Sequence, residues 1–300
     1  MYLSTAPATI DAGVSGRDFR QAAAGIPATA AHPPASGRSM VTPLRIGVTT
    51  LWLSVIVLLP LAAIVWQAGG RGWQGFWLAI TSHAAMESFR VTLTSAVLVT
   101  ALDVVFGLAT AWVLVRDAFV GKGLIDALID LPFALPTIVT SLVMLALYGN
   151  ASPVGIHLQH TPAGVVMALA FVTLPLVVRA VQPVLLELDR DAEEAAASLG
   201  ATRLTTFRLV LLPSLRPALL TGAGLAFSRC VGEFGSVVTI GGAVPGRTEV
   251  SSQWIRALIE TDDRTSAAAI SIVLLAISFA VLVLLRTVGG RAAKREEEDG

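Results

Sequence analysis

The chain has 300 residues, of which 54% are hydrophobic and 14% are charged, and its mean hydropathy is +0.74. Soluble domains carry about 25% charged residues, so this composition excludes a soluble globular domain and indicates an integral membrane protein. The formal net charge of zero points to no acidic or basic partner, and no nucleic acid partner is expected. Because the chain has one cysteine, Cys230, and four histidines without the spacing of metal ligands, no metal site is predicted.

The first segment, residues 1–44, is rich in Ala, Pro, Gly and Ser and has no apolar run, so we predict a disordered tail. Met40 stands just before the first apolar stretch, and we expect translation to start there. Residues 45–288 form the predicted membrane domain, which includes a polar segment at 186–217, and residues 289–300 form a charged tail.

Long apolar stretches recur along the membrane domain. A helix needs about 20 apolar residues to cross the hydrocarbon core of a bilayer. The sequence therefore predicts an all-α polytopic bundle of about six spans: Ile46–Trp66, Val91–Val115, Ile125–Tyr148, Ala163–Val181, Ala218–Gly241 and Ser266–Leu285.

The basic residues are distributed unevenly between the two sides of this bundle. If both termini are cytoplasmic, fifteen Lys and Arg residues lie on the inner side and five on the outer side. Because loops on the cytoplasmic side carry the excess of basic residues, we predict that both termini are cytoplasmic.

Prolines interrupt two of the predicted spans. Pro132, Pro136 and Pro175 lack a backbone donor, and a membrane helix tolerates such a residue only where neighbours or a water-lined cavity satisfy the freed carbonyls. They indicate bends, which either line a transport pathway or improve the packing of the helices.

No catalytic motif is found along the chain. The segment Gly121-Lys122-Gly123 lacks the upstream glycine and the Ser or Thr of a phosphate-binding loop. No Ser-His-Asp set or carboxylate pair lies near a predicted membrane cavity. We therefore expect that the chain is not an enzyme, has no catalytic residue and binds no cofactor of its own.

The polar segment predicts a helical hairpin outside the bilayer. Asp189–Leu199 is rich in helix-forming residues, and Gly200 occupies the position at which a helix end needs φ > 0. Thr202 can cap a second helix that we expect to end at Pro213. The apolar residues of this second helix are predicted to share one face: Leu204, Phe207 and Leu211. Such a hairpin either docks into a groove of a partner or packs on its own bundle.

The same hairpin carries the residues of a known motif. Glu194, Ala195 and Ala196 are followed by Gly200 and, after the required interval, by the pair Leu212-Pro213. This pattern resembles the coupling loop of ABC importer permeases, in which Val210 here replaces an Ile. The resemblance implies that the ATPase-coupling residues are Glu193, Glu194, Ala195, Ala196, Gly200, Leu204, Phe207 and Pro213.

Two charged residues lie within the fifth predicted span. Arg229 and Glu233 are four positions apart, so they share a helical face and can neutralise each other. A charge near the middle of the bilayer costs at least about 2.5 kcal/mol, so neither should face lipid. Arg229 either attracts an anionic substrate or forms a structural ion pair, with Asp103 as a further candidate partner. The hydroxyls of a substrate pathway would come from Ser228, Ser236, Thr137 and Thr140.

Three further sequence motifs narrow the resemblance to one branch of this family. They are Leu131-Pro132-Phe133-Ala134-Leu135-Pro136-Thr137, the run from Leu174 to Leu185, and Gly232-Glu233-Phe234-Gly235-Ser236-Val237-Val238. Together they are similar to the T-type permease subunit of sulfate/thiosulfate ABC importers. The first and third strings also occur in the related molybdate permeases.

The resemblance implies a type I importer permease in the bacterial cytoplasmic membrane, surrounded by lipid. Its partners would be a second homologous permease subunit, two ATPase subunits that bind ATP and magnesium, and an extracytoplasmic sulfate-binding protein. Pairing with a second copy of this chain is an alternative. A molybdate or tungstate permease is the nearest alternative function, followed by an ion-coupled secondary transporter, for which paired repeats with broken helices would be expected.

Overall fold

The computed structural model describes residues 41–188 and 190–298, with side chains described at 45–188 and 191–290. Two compact units divide the chain, 1–54 and 55–300. In the described part of the first unit, helix α1 (Val41–Leu53) exposes apolar side chains such as Leu51 and Trp52. The predicted tail falls outside the described residues except for 41–44, which belong to α1, and Met40 also falls outside them.

The regular secondary structure in the described part of the second unit is helical, with no strand. A π-helical turn, Ser54–Leu58, follows α1. The helices that follow are α2 (Leu59–Ala68), α3 (Gly72–Thr81), α4 (His83–Arg116), α5 (Lys122–Ile129), α6 (Leu131–Ala134), α7 (Thr137–Tyr148), α8 (Pro162–Glu187), α9 (Arg190–Ser198), α10 (Arg203–Thr206), α11 (Leu212–Val231), α12 (Val238–Gly241), α13 (Ser251–Glu260) and α14 (Arg264–Glu298).

Within the described ranges, five helical stretches are long and apolar enough to cross a membrane. They are Arg45–Thr81, His83–Arg116, Pro162–Glu187, Arg203–Val231 and Arg264–Gly290. Each overlaps one of the six predicted spans, so these five are confirmed as apolar helices. The protein is a multi-pass membrane protein.

The prediction of a single span over Ile125–Tyr148 is wrong. This stretch is divided into α5, α6 and α7, and α7 has only 12 residues. Pro132 stands in the first turn of α6, and Leu135 adopts the extended conformation that a following proline favours. The prolines therefore end helices here rather than bending one continuous helix.

The limits of the predicted fifth span, Ala218–Gly241, are also wrong. The helical stretch begins earlier, at Arg203, and ends at Val231. Pro213 does not end it, because a π-helical turn, Phe207–Leu211, comes directly before α11 and Pro213 lies in the first turn of that helix, where a backbone donor has no helical partner. The second arm of the hairpin is thus continuous with a membrane helix.

Close helix contacts hold the centre of the bundle together. Val177 of α8 is fully buried, and a Cβ added to Gly107 of α4 would lie 2.9 Å from its side chain. A Cβ added to Gly222 of α11 would lie 3.0 Å from the Val177 Cα. Small residues therefore allow three membrane helices to meet at one valine, as is typical of helix packing in membranes.

Contacts define the two ends of the bundle. At one end, Arg71 forms an ion pair with Asp263, 2.9 Å away, at the start of α14. At the other end, the last turn of α4 contacts the hairpin through Arg116 and Glu193. The far end of α14 belongs to this second end as well, because Gly289 lies next to Pro217 and Leu220 of α11.

Candidate functional site

The hairpin at 190–211 has the turn that the sequence predicts. Gly200 has a φ of +81°, and nothing lies within 4 Å of the position a Cβ would take there. Its backbone N–H donates to the carbonyl of Ala197 and closes the end of α9. The Thr202 side chain accepts from the backbone N–H of Thr205 and caps α10. Both the left-handed turn at Gly200 and the Thr202 cap are confirmed.

The predicted coupling residues differ in their exposure. Leu204, Glu194, Ala195 and Gly200 are exposed, and so is Leu199 at the tip of the turn, where 89% of its surface is accessible. Glu193, Ala196, Phe207 and Pro213 are partly buried, and Leu211 is buried. Leu204 lies in α10 and is exposed, whereas Phe207 and Leu211, at the two ends of the π-helical turn, are partly buried and buried. The predicted apolar face of Leu204, Phe207 and Leu211 is therefore divided between the surface and the bundle.

The last turn of α4 holds the base of the hairpin. Arg116 Nη2 lies 2.7 Å from Glu193 Oε1 of α9 and donates a hydrogen bond to the carbonyl of Leu188, 3.3 Å away. The guanidinium lies 5.9 Å from the ring centre of Trp112. That indole in turn makes an edge-to-face contact with Phe207, with ring centres 5.8 Å apart. One turn of α4 thus contacts both arms of the hairpin.

A cavity of about 430 Å³ lies beneath the hairpin beside these contacts. Its walls include Trp112, Arg116, Glu194, Arg203 and Phe207. The volume is large enough for several water molecules, and the walls offer charged partners to them. The first arm of the hairpin, α9, is therefore separated from part of the bundle by this cavity, whereas the second arm packs inwards through Phe207 and Leu211.

A second charged cluster lies on α8. Arg179 donates to both carboxylate oxygens of Asp130, at 2.8 and 2.6 Å, and to the Asp126 side chain at 2.7 Å. It also donates to the Asp126 carbonyl and to Gln182. All three guanidinium nitrogens are engaged, so this residue fixes α5 and α6 against α8.

The predicted substrate-pathway residues lie around the segment 233–241. A Cβ added to Gly235 would lie 2.1 Å from Thr137 Oγ1, so α7 approaches this segment as closely as a glycine permits. Further along α7, Ser141 Oγ accepts hydrogen bonds from the backbone N–H groups of Thr239 and Ile240. Two of the motif strings that are distant in sequence are therefore in contact.

Two hydroxyls on this contact are buried without a partner. Thr140 and Ser236 have no exposed surface, and neither side-chain oxygen forms a hydrogen bond in the structure. Thr137, Thr140 and Ser141 share one face of α7 because they are three and four positions apart. An unpaired buried hydroxyl costs free energy, so these two groups are candidates for bonding a ligand.

Arg229 and Glu233 form an ion pair, with Nη1 and Oε2 2.5 Å apart. Helix α11 ends at Val231, so the prediction that the two residues share a helical face is wrong, but the chain beyond the helix returns Glu233 to Arg229. The Glu233 side chain is 1% exposed and accepts from the Ser236 backbone N–H, whereas the Arg229 side chain is 41% exposed. Glu233 is a structural acceptor, and Arg229 presents its free side to the surface.

Asp103 and Ser228, which the sequence placed near Arg229, form hydrogen bonds with other helices. Asp103 is buried and accepts from the Thr173 hydroxyl of α8, 2.5 Å away, rather than pairing with Arg229. Ser228 donates to the carbonyl of Ser278 in α14, at 3.4 Å. The Ser228 hydroxyl therefore joins two helices and lies apart from the group formed by Thr137, Thr140 and Ser236.

Comparison with known families now defines the class of the protein. Residues 103–294 match the family described as binding-protein-dependent transport system inner membrane component. This chain belongs to that family. The match includes the hairpin, the Arg179 cluster and the segment around Gly235. Among the described residues, no group of three or more His, Cys, Asp or Glu side chains could hold a metal ion.

Relatives of this transport component are found among curated proteins and solved structures. The chain is 42% identical over 259 residues to the sulfate transport system permease protein CysT of Salmonella typhimurium, covering 84% of this chain and 94% of the relative. It is 41% identical to the protein of that name from Synechocystis, covering 79% and 86%. The fold matches a bacterial ABC transporter involved in alginate import, with a TM-score of 0.69 at 13% identity over 84% of this chain and 95% of the other.

These comparisons confirm the predicted resemblance and the predicted helical permease fold. Sequence reasoning on this transport component missed Trp112, Arg116 and the partners of Arg179, Asp126 and Asp130. The signal for Arg116 was its position at the end of a long apolar helix, which predicts no particular partner. Its contact with Glu193 depends on how α8 and α9 return to α4, and only the structure gives that path.

Proposed function

We propose that this chain is the permease subunit of an ATP-driven importer that carries sulfate or thiosulfate across the bacterial cytoplasmic membrane. The observation that carries the proposal is the 42% identity, over most of both chains, to a permease of the sulfate transport system. Three motif strings support it, and two of them meet in space at Thr137 and Gly235.

The exposed part of the hairpin supports a docking role towards an ATPase. Leu199 and Leu204 stand out from the bundle beside the exposed Glu194, which gives a small apolar knob with a charged rim. We expect two ATPase subunits to hold this knob and to bind ATP and magnesium. The chain itself then provides no catalytic residue and binds no cofactor.

Two further partners follow from the transport role. A second homologous permease would complete the pathway, and an extracytoplasmic binding protein would supply affinity for the anion. Tight binding inside the permease would slow release, so selectivity belongs to a separate protein. A solved relative of the fold is in complex with an alginate pentasaccharide-bound periplasmic protein, which supports such a partner here.

The anion pathway is proposed to run beside Arg229. Its guanidinium is neutralised on one side by Glu233 and exposed on the other, so it can meet a dianion without holding it tightly. Thr137 lies nearby through its contact with Gly235, and the unpartnered hydroxyls of Thr140 and Ser236 become available when α7 moves away from the segment 233–241. Sulfate offers only acceptor oxygens, which suits hydroxyl donors.

Uptake of labelled sulfate tests the proposed function. Cells deleted for this chain are compared with cells in which it is restored, with and without an excess of thiosulfate or molybdate. We expect restored uptake that thiosulfate suppresses. If the deletion leaves sulfate uptake intact and lowers molybdate uptake instead, the substrate assignment is wrong and the chain is a molybdate or tungstate permease.

A further inference from the structure

We infer that Arg116 is the positioning residue that transmits motion of the hairpin to membrane helix α4. The inference rests on the proposed function as an ATP-driven permease and identifies the joint through which that function would operate. It concerns the inner contacts of the hairpin, not the surface that faces an ATPase.

Arg116 is the point at which three segments meet. It ends α4, pairs with Glu193 of α9 at 2.7 Å, and donates to the Leu188 carbonyl just after α8. The side chain is 11% exposed, and Glu193 is 27% exposed. A charge pair shielded to this degree is screened less by salt than an exposed pair, and removing one partner leaves the other partly buried without its counter-charge.

Part of the space beside the Arg116–Glu193 pair, between α4 and α9, is not filled by side chains. Beside the pair lies the cavity of about 430 Å³, so close packing does not join the two sides there. The edge-to-face contact of Trp112 with Phe207 is the second link from α4 to the hairpin. The aromatic contact carries no charge, whereas Arg116 and Glu193 are opposite charges 2.7 Å apart. The ion pair is therefore the charged side-chain contact that joins α9 to α4 beside the cavity.

The geometry also distinguishes Glu193 from Glu194, its neighbour in sequence. Glu193 is partly buried and pairs with Arg116, whereas Glu194 is more exposed and lies in the wall of the cavity beside that pair. A force applied to the outer face of α9 would reach α4 through the neighbouring residue. Loss of Arg116 should leave the hairpin folded, since Gly200 and Thr202 close its turn independently, but should loosen its connection to α4.

The first experiment measures coupling in the complete importer, purified with its ATPase subunits and reconstituted in liposomes with the binding protein. Arg116→Gln and Glu193→Gln should each lower the amount of anion transported per ATP hydrolysed by about tenfold, within the usual range of coupling energies. The double variant should be no worse than either single variant, because both changes remove the same interaction. Arg208→Gln, which changes an exposed arginine of the same hairpin, is the matched control and should keep the wild-type ratio.

A ratio is used because a merely structural role would not change it. If Arg116→Gln lowers transport and hydrolysis in equal proportion, or keeps the wild-type ratio, the inference is wrong. The second experiment does not depend on the identity of the anion. Spin labels on cysteines introduced at Val113 of α4 and Leu199 of the turn report the distance between the two elements in a complex whose other subunits lack reactive cysteines; native Cys230 is buried.

In the wild type, this distance should stay the same when ATP and vanadate trap the closed ATPase, because hairpin and helix move together. In Arg116→Gln it should change or broaden. Equal distances in both proteins and both states would overturn the inference. If the fixed distance depends on Arg116 but the importer carries no sulfate, the joint stands and the proposed substrate fails.

Discussion

At the scale of single residues, several side chains of this permease have surroundings that are unusual for their chemistry. Gly200 occupies a left-handed turn, Glu233 is a carboxylate buried in a membrane bundle, and Glu249 is a partly buried acid near another acid. Each has a physical cost or constraint that a substitution can reveal.

Gly200→Val should strain the hairpin through the backbone alone. Nothing lies near the position of the added Cβ, so no clash contributes, but a left-handed conformation costs a non-glycine residue about 1–2 kcal/mol, and more when it is β-branched. We expect faster amide hydrogen exchange in 190–206 and less transport per ATP hydrolysed. Gly200→Asn, which tolerates the left-handed region, is the control. Wild-type exchange and coupling in the valine variant would contradict this prediction.

Arg229→Ala separates attraction of substrate from structural pairing. Removing the guanidinium leaves the buried Glu233 carboxylate without its partner, which should cost about 1–3 kcal/mol, a moderate value because Arg229 is 41% exposed. The Arg229→Ala/Glu233→Gln variant removes the unpaired charge and should restore the thermal unfolding midpoint. If Arg229 attracts the dianion, sulfate transport stays low in this stabilised double variant. Recovery of both stability and transport would assign Arg229 a structural role only.

Glu249 should make stability depend on pH. Burial, together with the neighbouring carboxylate of Glu87, raises the pKa of Glu249 above its ordinary value. The folded state therefore binds this proton more tightly than the unfolded state, so stability falls as the pH rises from the ordinary glutamate value to the raised one. Glu249→Gln should raise the unfolding midpoint by a few degrees at neutral pH and leave it unchanged near pH 4, as measured by intrinsic fluorescence in detergent. His83, whose Nε2 lies 3.6 Å from Glu87 Oε1, is present in both the wild type and the Glu249→Gln variant. It therefore does not account for a difference between the two proteins.

At the scale of secondary structure, the sequence predicted most of the long helices and missed where two of them end. Five apolar spans could be recognised because length and apolar content decide whether a helix crosses a bilayer. The break at Asp130–Pro136 was missed because a hydrophobic run does not show whether its prolines bend a helix or end it. Likewise, the passage of the helix through Pro213 depends on the π-helical turn before it, which no local pattern predicts.

In the candidate sites, too, local features could be predicted from the sequence, whereas contacts between distant residues could not. The turn at Gly200 and the cap at Thr202 are local and could be predicted from residue type. The partners of Arg116 and Asp103 are distant in sequence, and many carbonyls and acids were available to each. Helix packing decided which of them came within reach, so only the structure could give these pairs.

Helices α5 and α6 should depend on Arg179 for their position. Arg179→Gln removes five hydrogen bonds and leaves Asp126 and Asp130 close together without a counter-charge. We expect faster amide hydrogen exchange in 122–134, with a local loss of about 1–3 kcal/mol. Arg179→Lys should restore only part of this local stability, because an ammonium cannot make the bidentate contact. The last turn of α4 serves as the internal reference, and equal exchange in wild type and Arg179→Gln would show that packing alone fixes α5 and α6.

At the scale of the whole molecule, the two ends of the bundle have different structural features. One end has the hairpin, the Arg116 joint and the Arg179 cluster, and the other has the Arg71–Asp263 ion pair. The distribution of basic residues predicts that the hairpin end is cytoplasmic, where an ATPase could reach it. The proposed coupling to an ATPase requires this orientation, since a hairpin on the outer face would have no ATP-driven partner.

Labelling of single cysteines by a membrane-impermeant maleimide tests this orientation. Leu199 and Val120 are exposed at the hairpin end, whereas Val154 and Asp262 are exposed in connections of the opposite end, so a cysteine at each position reports one side. In intact spheroplasts we expect labelling at positions 154 and 262 only, and in inverted vesicles at 120 and 199 only. Native Cys230 is buried and should give the low background of the unaltered chain. Labelling of position 199 from outside would place the hairpin away from ATP, and the coupling mechanism would then fail together with the orientation.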